Sequence, residues 1–126
     1  MSLQVILLGG INDIGAGTHA HHVFQGLEEL YAMCHEHGAY LIASTLLEIK
    51  SESLGPDRAK ARVEVNRMIR DWVRTHQAEK KVDLVDLELL MPYHSLSEAD
   101  RKAVWEDDGL HLKPAGWVSR PEALKP

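Results

Sequence analysis

The chain predicts an α/β domain built on a parallel sheet, and three observations carry that prediction. Val5-Ile6-Leu7-Leu8 is an unbroken apolar run closed by Gly9-Gly10, the pattern of a buried parallel strand rather than an alternating, half-solvated one. Ala20, Val23, Phe24, Leu27, Leu30, Tyr31 and Cys34 then recur at helical spacing, and Gly38 closes the amphipathic helix they define. A second strand-like run covers Tyr40 to Leu47, so strand, helix and strand alternate as parallel crossovers require.

The later elements repeat the alternation. Glu48 to Asp57 contains Gly55-Pro56 and reads as a surface loop that leads into a helix with Pro56 near its first turn. That helix runs to about His76. Ala61, Val65, Met68, Ile69, Trp72 and Val73 form its buried stripe, and Arg58, Lys60, Arg62, Arg67 and Arg74 are assigned to a solvated face. Val82 to Leu87 reads as a third strand. Pro92 opens a loop, and Ser97 with Asp100 forms an N-cap pattern for a short helix reaching Trp105. Pro121 and Pro126 bracket a final segment too short for a full helix, which could not run through Pro121.

At 126 residues with 44% hydrophobic composition, the chain suits one domain with a moderate core, or part of one. The net charge of -5 and the lack of a Lys/Arg cluster argue against nucleic acid and acidic lipid surfaces as partners, since phosphate binding needs a basic face. Cys34 is the single cysteine, so no intrachain disulfide can form, and its apolar setting predicts a buried, inert thiol. The apolar run at the start is too short for a membrane span or a signal peptide.

Two segments carry chemistry. Gly10-Ile11-Asn12-Asp13 ends the first strand, where open α/β sheets gather their functional groups. The Asn12 amide can donate to a developing oxyanion, against the plainer reading of an αL or Asx-turn residue. Gly9 and Gly10 serve backbone geometry, and Asp13 reads as a local turn acceptor. Asp108-Gly109-Leu110-His111 sets a carboxylate three residues before a His, close enough to fix the imidazole tautomer; the plainer reading is a loop salt bridge. Asp107 is the neighbouring carboxylate that competes for the same role.

Other candidates are weaker. His19, His21, His22, His35 and His37 flank the first helix, but adjacent His21 and His22 cannot share a helical face, so no metal is expected, and no cofactor. Gly15-Ala16-Gly17-Thr18-His19-Ala20 fits a loose phosphate-loop pattern, which leaves nucleotide binding as a remote alternative. Ser2, Ser44, Ser51, Ser53, Ser95, Ser97 and Ser119 include no nucleophile elbow, and Ser95 and Ser97 read as helix-cap residues.

The two segments together resemble the SGNH, or GDSL-type, family of serine ester hydrolases. Gly10-Ile11-Asn12-Asp13 resembles the family's third block, and Asp108-Gly109-Leu110-His111 with Leu112-Lys113-Pro114-Ala115-Gly116-Trp117 resembles its fifth. Gly38-Ala39 and Val65-Asn66-Arg67-Met68-Ile69-Arg70 support the match. The resemblance implies a flavodoxin-like three-layer α/β/α fold over residues 1–126, truncated at the N-terminus and abridged at the C-terminus, as a single incomplete domain. It assigns Asn12 as oxyanion donor, Asp108 and His111 as the acid/base pair, and Gly10 to the substrate-binding surface, with a small ester as substrate. The Gly-Asp-Ser nucleophile block and the second, glycine-bearing block have no counterpart, so the chain is expected to be inactive alone. The alternative is a non-enzymatic module that forms homodimers through the exposed edge of its first strand.

Overall fold

The computed structural model describes residues 3–48, 55–108 and 112–114. Three parallel strands, β1 (Gln4–Leu7), β2 (Tyr40–Ser44) and β3 (Val82–Val85), pair in the order β1-β2-β3. Leu41 lies opposite Val5 on one side and Val82 on the other, which sets the register of the sheet. The crossovers are α2 (Ala20–Glu36) and α3 (Pro56–His76); a five-residue helix α1 (Ile11–Gly15) follows β1. Beyond β3 come a short turn of helix, α4 (Leu87–Leu90), and then α5 (Glu98–Val104).

Successive crossovers of one hand, moving in one direction along the sheet, place their helices on one face. Val23, Leu27 and Tyr31 of α2 and Val65, Ile69 and Val73 of α3 accordingly bury against Leu41, Ala43 and Val82. That arrangement corrects the expectation of a first strand buried on both faces. β1 alternates between exposed and half-buried residues, and Ile6, on the face turned away from the helices, is 72% exposed. β1 is also an edge strand, since β2 is its sole partner among the described residues.

Several boundaries fall where the sequence puts them. α3 begins at Pro56 and ends at His76, and Ser97 caps α5 by accepting from the Asp100 N–H at 3.2 Å. The expected third strand stops at Val85 because the Asp86 carbonyl starts α4 by accepting from Leu89 and Leu90. β2 ends at Ser44 rather than Leu47 for a related reason. Asn66 takes both backbone groups of Leu46, accepting from its N–H at 2.7 Å and donating to its carbonyl at 2.9 Å. Cys34 is half-buried and its thiol is free.

One assignment is overturned. Arg62, expected on the solvated face of α3, is buried and paired with Glu88. A charge enters the interior here because its carboxylate partner enters with it.

Candidate functional site

Asn12 is aimed by its neighbours. The chain leaves β1 through Gly9 and Gly10, and Gly10 adopts φ 108°, which leaves the left-handed conformation to glycine and not to Asn12. A side chain could not stand at Gly10 in any case, because its Cβ would lie 2.8 Å from Val23 Cγ1. The Gly10 carbonyl then accepts from the Ile14 N–H at 3.0 Å, and fully buried Ile14 pins α1 to the core. With Ile14 facing in, Asn12 and Asp13 face out, and both are exposed. Asn12 keeps a negative φ as a residue of α1, so the αL reading of it does not hold.

Asp13 lines a groove of about 450 Å³ with Gly9, Gly10, Thr18, His22, Val23, Gly26, Leu27 and Leu30. Of the glycine pair in the loose phosphate-loop pattern, Gly15 ends α1 and Gly17 follows it, so both lie one helical turn removed from the strand end. Among the described residues no group of three or more His, Cys, Asp or Glu side chains is set to hold a metal ion.

Asp108 stands on a second apolar cluster. Met91, Tyr93, Leu96, Val104, Trp105 and Leu112 pack together with Leu47, the residue that leaves β2. Trp105 and Leu112 form an isolated antiparallel bridge, and the Lys113 N–H donates to the Val104 carbonyl at 2.8 Å. The bridge closes the loop that carries Asp107 and Asp108, both exposed. Asp107 faces a cleft of about 220 Å³ with Tyr93, Arg101 and Trp105. His111 lies outside the described residues, as do Gly109 and Leu110.

The base of this cluster is wired to backbone. Arg101 donates to the carbonyls of Tyr93 at 3.1 Å and Leu96 at 3.1 Å, and its guanidinium sits 4.6 Å over the Tyr93 ring. Trp105 Nε1 donates to the Pro92 carbonyl at 3.2 Å, and Glu48 accepts from the Tyr93 N–H at 2.8 Å.

A polar network joins the carboxyl ends of β2 and β3. Arg70 donates to both Asp86 oxygens at 2.8 Å and to Glu88 at 2.7 Å, while Arg62 and Asn66 converge on the other Glu88 oxygen. Thr45 Oγ1 donates to Asp86 at 2.8 Å. Arg70 and Thr45 hold the Asp86 carboxyl below its ordinary range, the Arg70 hydrogen bond being the larger cause, against the opposing effect of burial. Burial alone would raise Glu88, yet the hydrogen bonds from Arg70, Asn66 and Arg62 outweigh it and hold the group low. The Arg70 guanidinium is raised in turn, chiefly by Asp86. Sequence reading missed this network. Its signal was there: Arg62, Asn66 and Arg70 follow at four-residue steps, a polar stripe beside the apolar stripe of α3.

These features define an α/β domain that gathers polar and titratable side chains at the carboxyl edge of a parallel sheet, the usual site of chemistry in such folds. The chain belongs to the GDSL-like lipase/acylhydrolase family, whose profile matches residues 4–117. Among solved structures, the chain is similar to a protein of Streptococcus pneumonia described as a candidate platelet activating factor, with a TM-score of 0.55 and 21% identity. The match covers 91% of this chain and 54% of that one, so the chain spans about half the length of its structural relative. No curated relative matches the sequence. The likeness establishes the shared α/β fold.

Proposed function

We propose that this chain carries the oxyanion and acid/base portion of a serine ester hydrolase site. Asn12 donates its amide to the tetrahedral oxyanion, and Gly10 gives the substrate close access to backbone at the same strand end. His111 accepts the proton of a serine hydroxyl and returns it to the leaving alkoxide, while Asp108 orients the imidazole and stabilises its charged form. The observation that carries the reading is the pair of anchored segments: Asn12 follows β1 directly, and the Asp108 loop is built on the segments that follow β2 and β3. The family's chemistry supplies the substrate class, a small ester.

The nucleophile comes from a segment other than the described residues. Of the three described serines, Ser44 is buried and donates to the Thr45 carbonyl at 2.9 Å, Ser97 is occupied as a helix cap, and Ser95 stands exposed in the turn before that cap, outside any Gly-Asp-Ser or nucleophile-elbow pattern. Joining a strand-helix-strand segment with a Gly-Asp-Ser nucleophile and an oxyanion glycine should confer ester hydrolysis. In that assembly His111→Ala should nearly abolish turnover, and Asn12→Ala should lower kcat by about a hundred- to a thousandfold. Asp108→Asn should cost about ten-thousandfold while leaving substrate binding intact. A folded, active assembly indifferent to His111→Ala would refute the assignment.

A second reading has its own support. Among the described residues the edge of β1 away from β2 has no partner strand, and it runs between exposed Leu3 and Leu8, the kind of strand that associates with another chain, here a second copy.

A further inference from the structure

We infer that the cavity between the α1–α2 connection and the start of α3 binds a small phosphorylated molecule, with Arg58 and Lys60 as its cations and Thr18 and His19 facing them. This site stands apart from the hydrolase reading, since it uses none of Gly10, Asn12, Asp108 and His111.

The cations are the ones the fold leaves unspent. Among the described residues Arg62, Arg67, Arg70 and Arg74 pair with carboxylates, and Arg101 donates to backbone carbonyls. Arg58 makes neither a hydrogen bond nor an ion pair among the described residues, and the same holds for the Lys60 ammonium. Both are exposed, both lie in the first two turns of α3, and both line the cavity. Two unpaired cations side by side make a local positive field in a chain whose net charge is -5. Asp57 lines the same cavity and offsets one of them, so the balance stays positive.

The opposite wall supplies donors. Thr18 brings a hydroxyl and His19 an imidazole, and neither side chain makes a hydrogen bond among the described residues. His19 is the N-cap of α2 and does not cap with its side chain, while Gly55, the N-cap of α3, has no side chain to cap with. First-turn N–H groups are therefore left to add to these side chains. Donors that close in from two walls suit the tetrahedral oxygens of a phosphate, whereas a carboxylate takes its partners close to one plane. The last four residues of the loose phosphate-loop pattern, Gly17 to Ala20, line this cavity. That pattern meets its cations on α3 rather than at the end of β1.

Size argues for more than a bare ion. The cavity holds about 600 Å³, within the range of about 300–1,000 Å³ found for pockets that take whole small molecules. Ile14, Ala20 and Ala61 give it an apolar wall for the organic part of the ligand. Ile14 is fully buried and belongs to α1, so an occupant braces that helix against α3.

Titrating the full chain with inorganic phosphate and with phenyl phosphate at constant ionic strength, followed by amide shifts in proton–nitrogen correlation spectra, tests the site. Saturable shifts are expected at Thr18, His19, Ala20, Arg58 and Ala61, with phenyl phosphate the tighter ligand. Arg58→Ala and Lys60→Ala should each weaken binding about tenfold, the loss of one charge-assisted contact. Lys80→Ala should leave it unchanged, because that exposed lysine precedes β3 at the far end of the sheet. Asp57→Asn should tighten binding, a gain that a damaged fold cannot produce. Phenyl phosphate at about ten times its Kd should also raise Tm by about 5 °C. Shifts absent up to about 10 mM phenyl phosphate, or a Lys80→Ala loss equal to that of Arg58→Ala, overturn the site. Benzoate binding as tightly as phenyl phosphate overturns the phosphate assignment.

Discussion

Replacing Gly10 by alanine should destabilise the protein by about 2–5 kcal/mol, and two separable causes make up that figure. The first is backbone conformation: at φ 108° an L-residue meets the left-handed penalty, about 1–2 kcal/mol. The second is space. The new methyl would lie 2.8 Å from Val23 Cγ1 and 3.9 Å from Leu46, and Val23 is itself 5% exposed on a packed helix, so overpacking adds about 1–3 kcal/mol. Against a total stability of about 5–15 kcal/mol the loss is large. A fall of about 3–5 °C in Tm accompanies each kcal/mol at this chain length. Urea unfolding followed by circular dichroism measures the loss. A cycle with Val23→Ala divides it, because shortening Val23 relieves the contact and leaves the backbone penalty, giving a coupling of about 1 kcal/mol or more. A loss below about 0.5 kcal/mol, or no coupling in the cycle, would refute the account of how α1 is aimed.

Two further outcomes concern the polar network. Asn66→Ala should cost about 2–4 kcal/mol in the same unfolding assay, since it leaves the N–H and C=O of buried Leu46 without partners. Asp86 and Glu88 are both held below their ordinary values, so their contribution is present above the unfolded carboxylate range and is lost as pH falls through the folded values. Stability should therefore decline below about pH 5, and Asp86→Asn should flatten that decline; an unchanged acid slope in the variant would remove Asp86 from the explanation.

Elements whose signal is local were legible in the sequence. Gly55-Pro56 marks the start of α3, and Ser97 with Asp100 marks the start of α5, because a fixed φ and a side-chain cap act within one turn of chain. The strand ends were less legible. β2 stops at Ser44 because Asn66, 20 residues after Leu46, takes over the Leu46 backbone, and no local pattern encodes a partner so far along the chain. Arg62 was misassigned for the same reason, since a basic residue beside an apolar stripe looks solvated until Glu88 is brought to it. At the site, the glycine requirement at Gly10 could be read from the turn, whereas its cause, contact with Val23, is tertiary.

Asn12 and Asp108 stand on different foundations, and that division gives the polar network a second consequence. Ile14 anchors Asn12 in the cluster between the sheet and its two long helices, while Trp105 and Leu112 anchor the Asp108 loop in the smaller one. Two described backbone routes lead from the first cluster to the second. One runs through Leu46, buried in the larger cluster, to Leu47, which packs on the smaller. The other runs from β3 through Glu88 to Met91, at the edge of the smaller. Asn66 grips both, bonding the Leu46 backbone on one side and Glu88 on the other. A rigid element that fixes two routes at once fixes the offset between the parts they carry. On the proposed hydrolase reading, Asn66→Ala should shift the Asp108 loop relative to Asn12 without touching either and, since a misplacement of about 1 Å costs about a hundredfold in rate, should lower ester turnover of the complemented assembly by about that factor while leaving it folded.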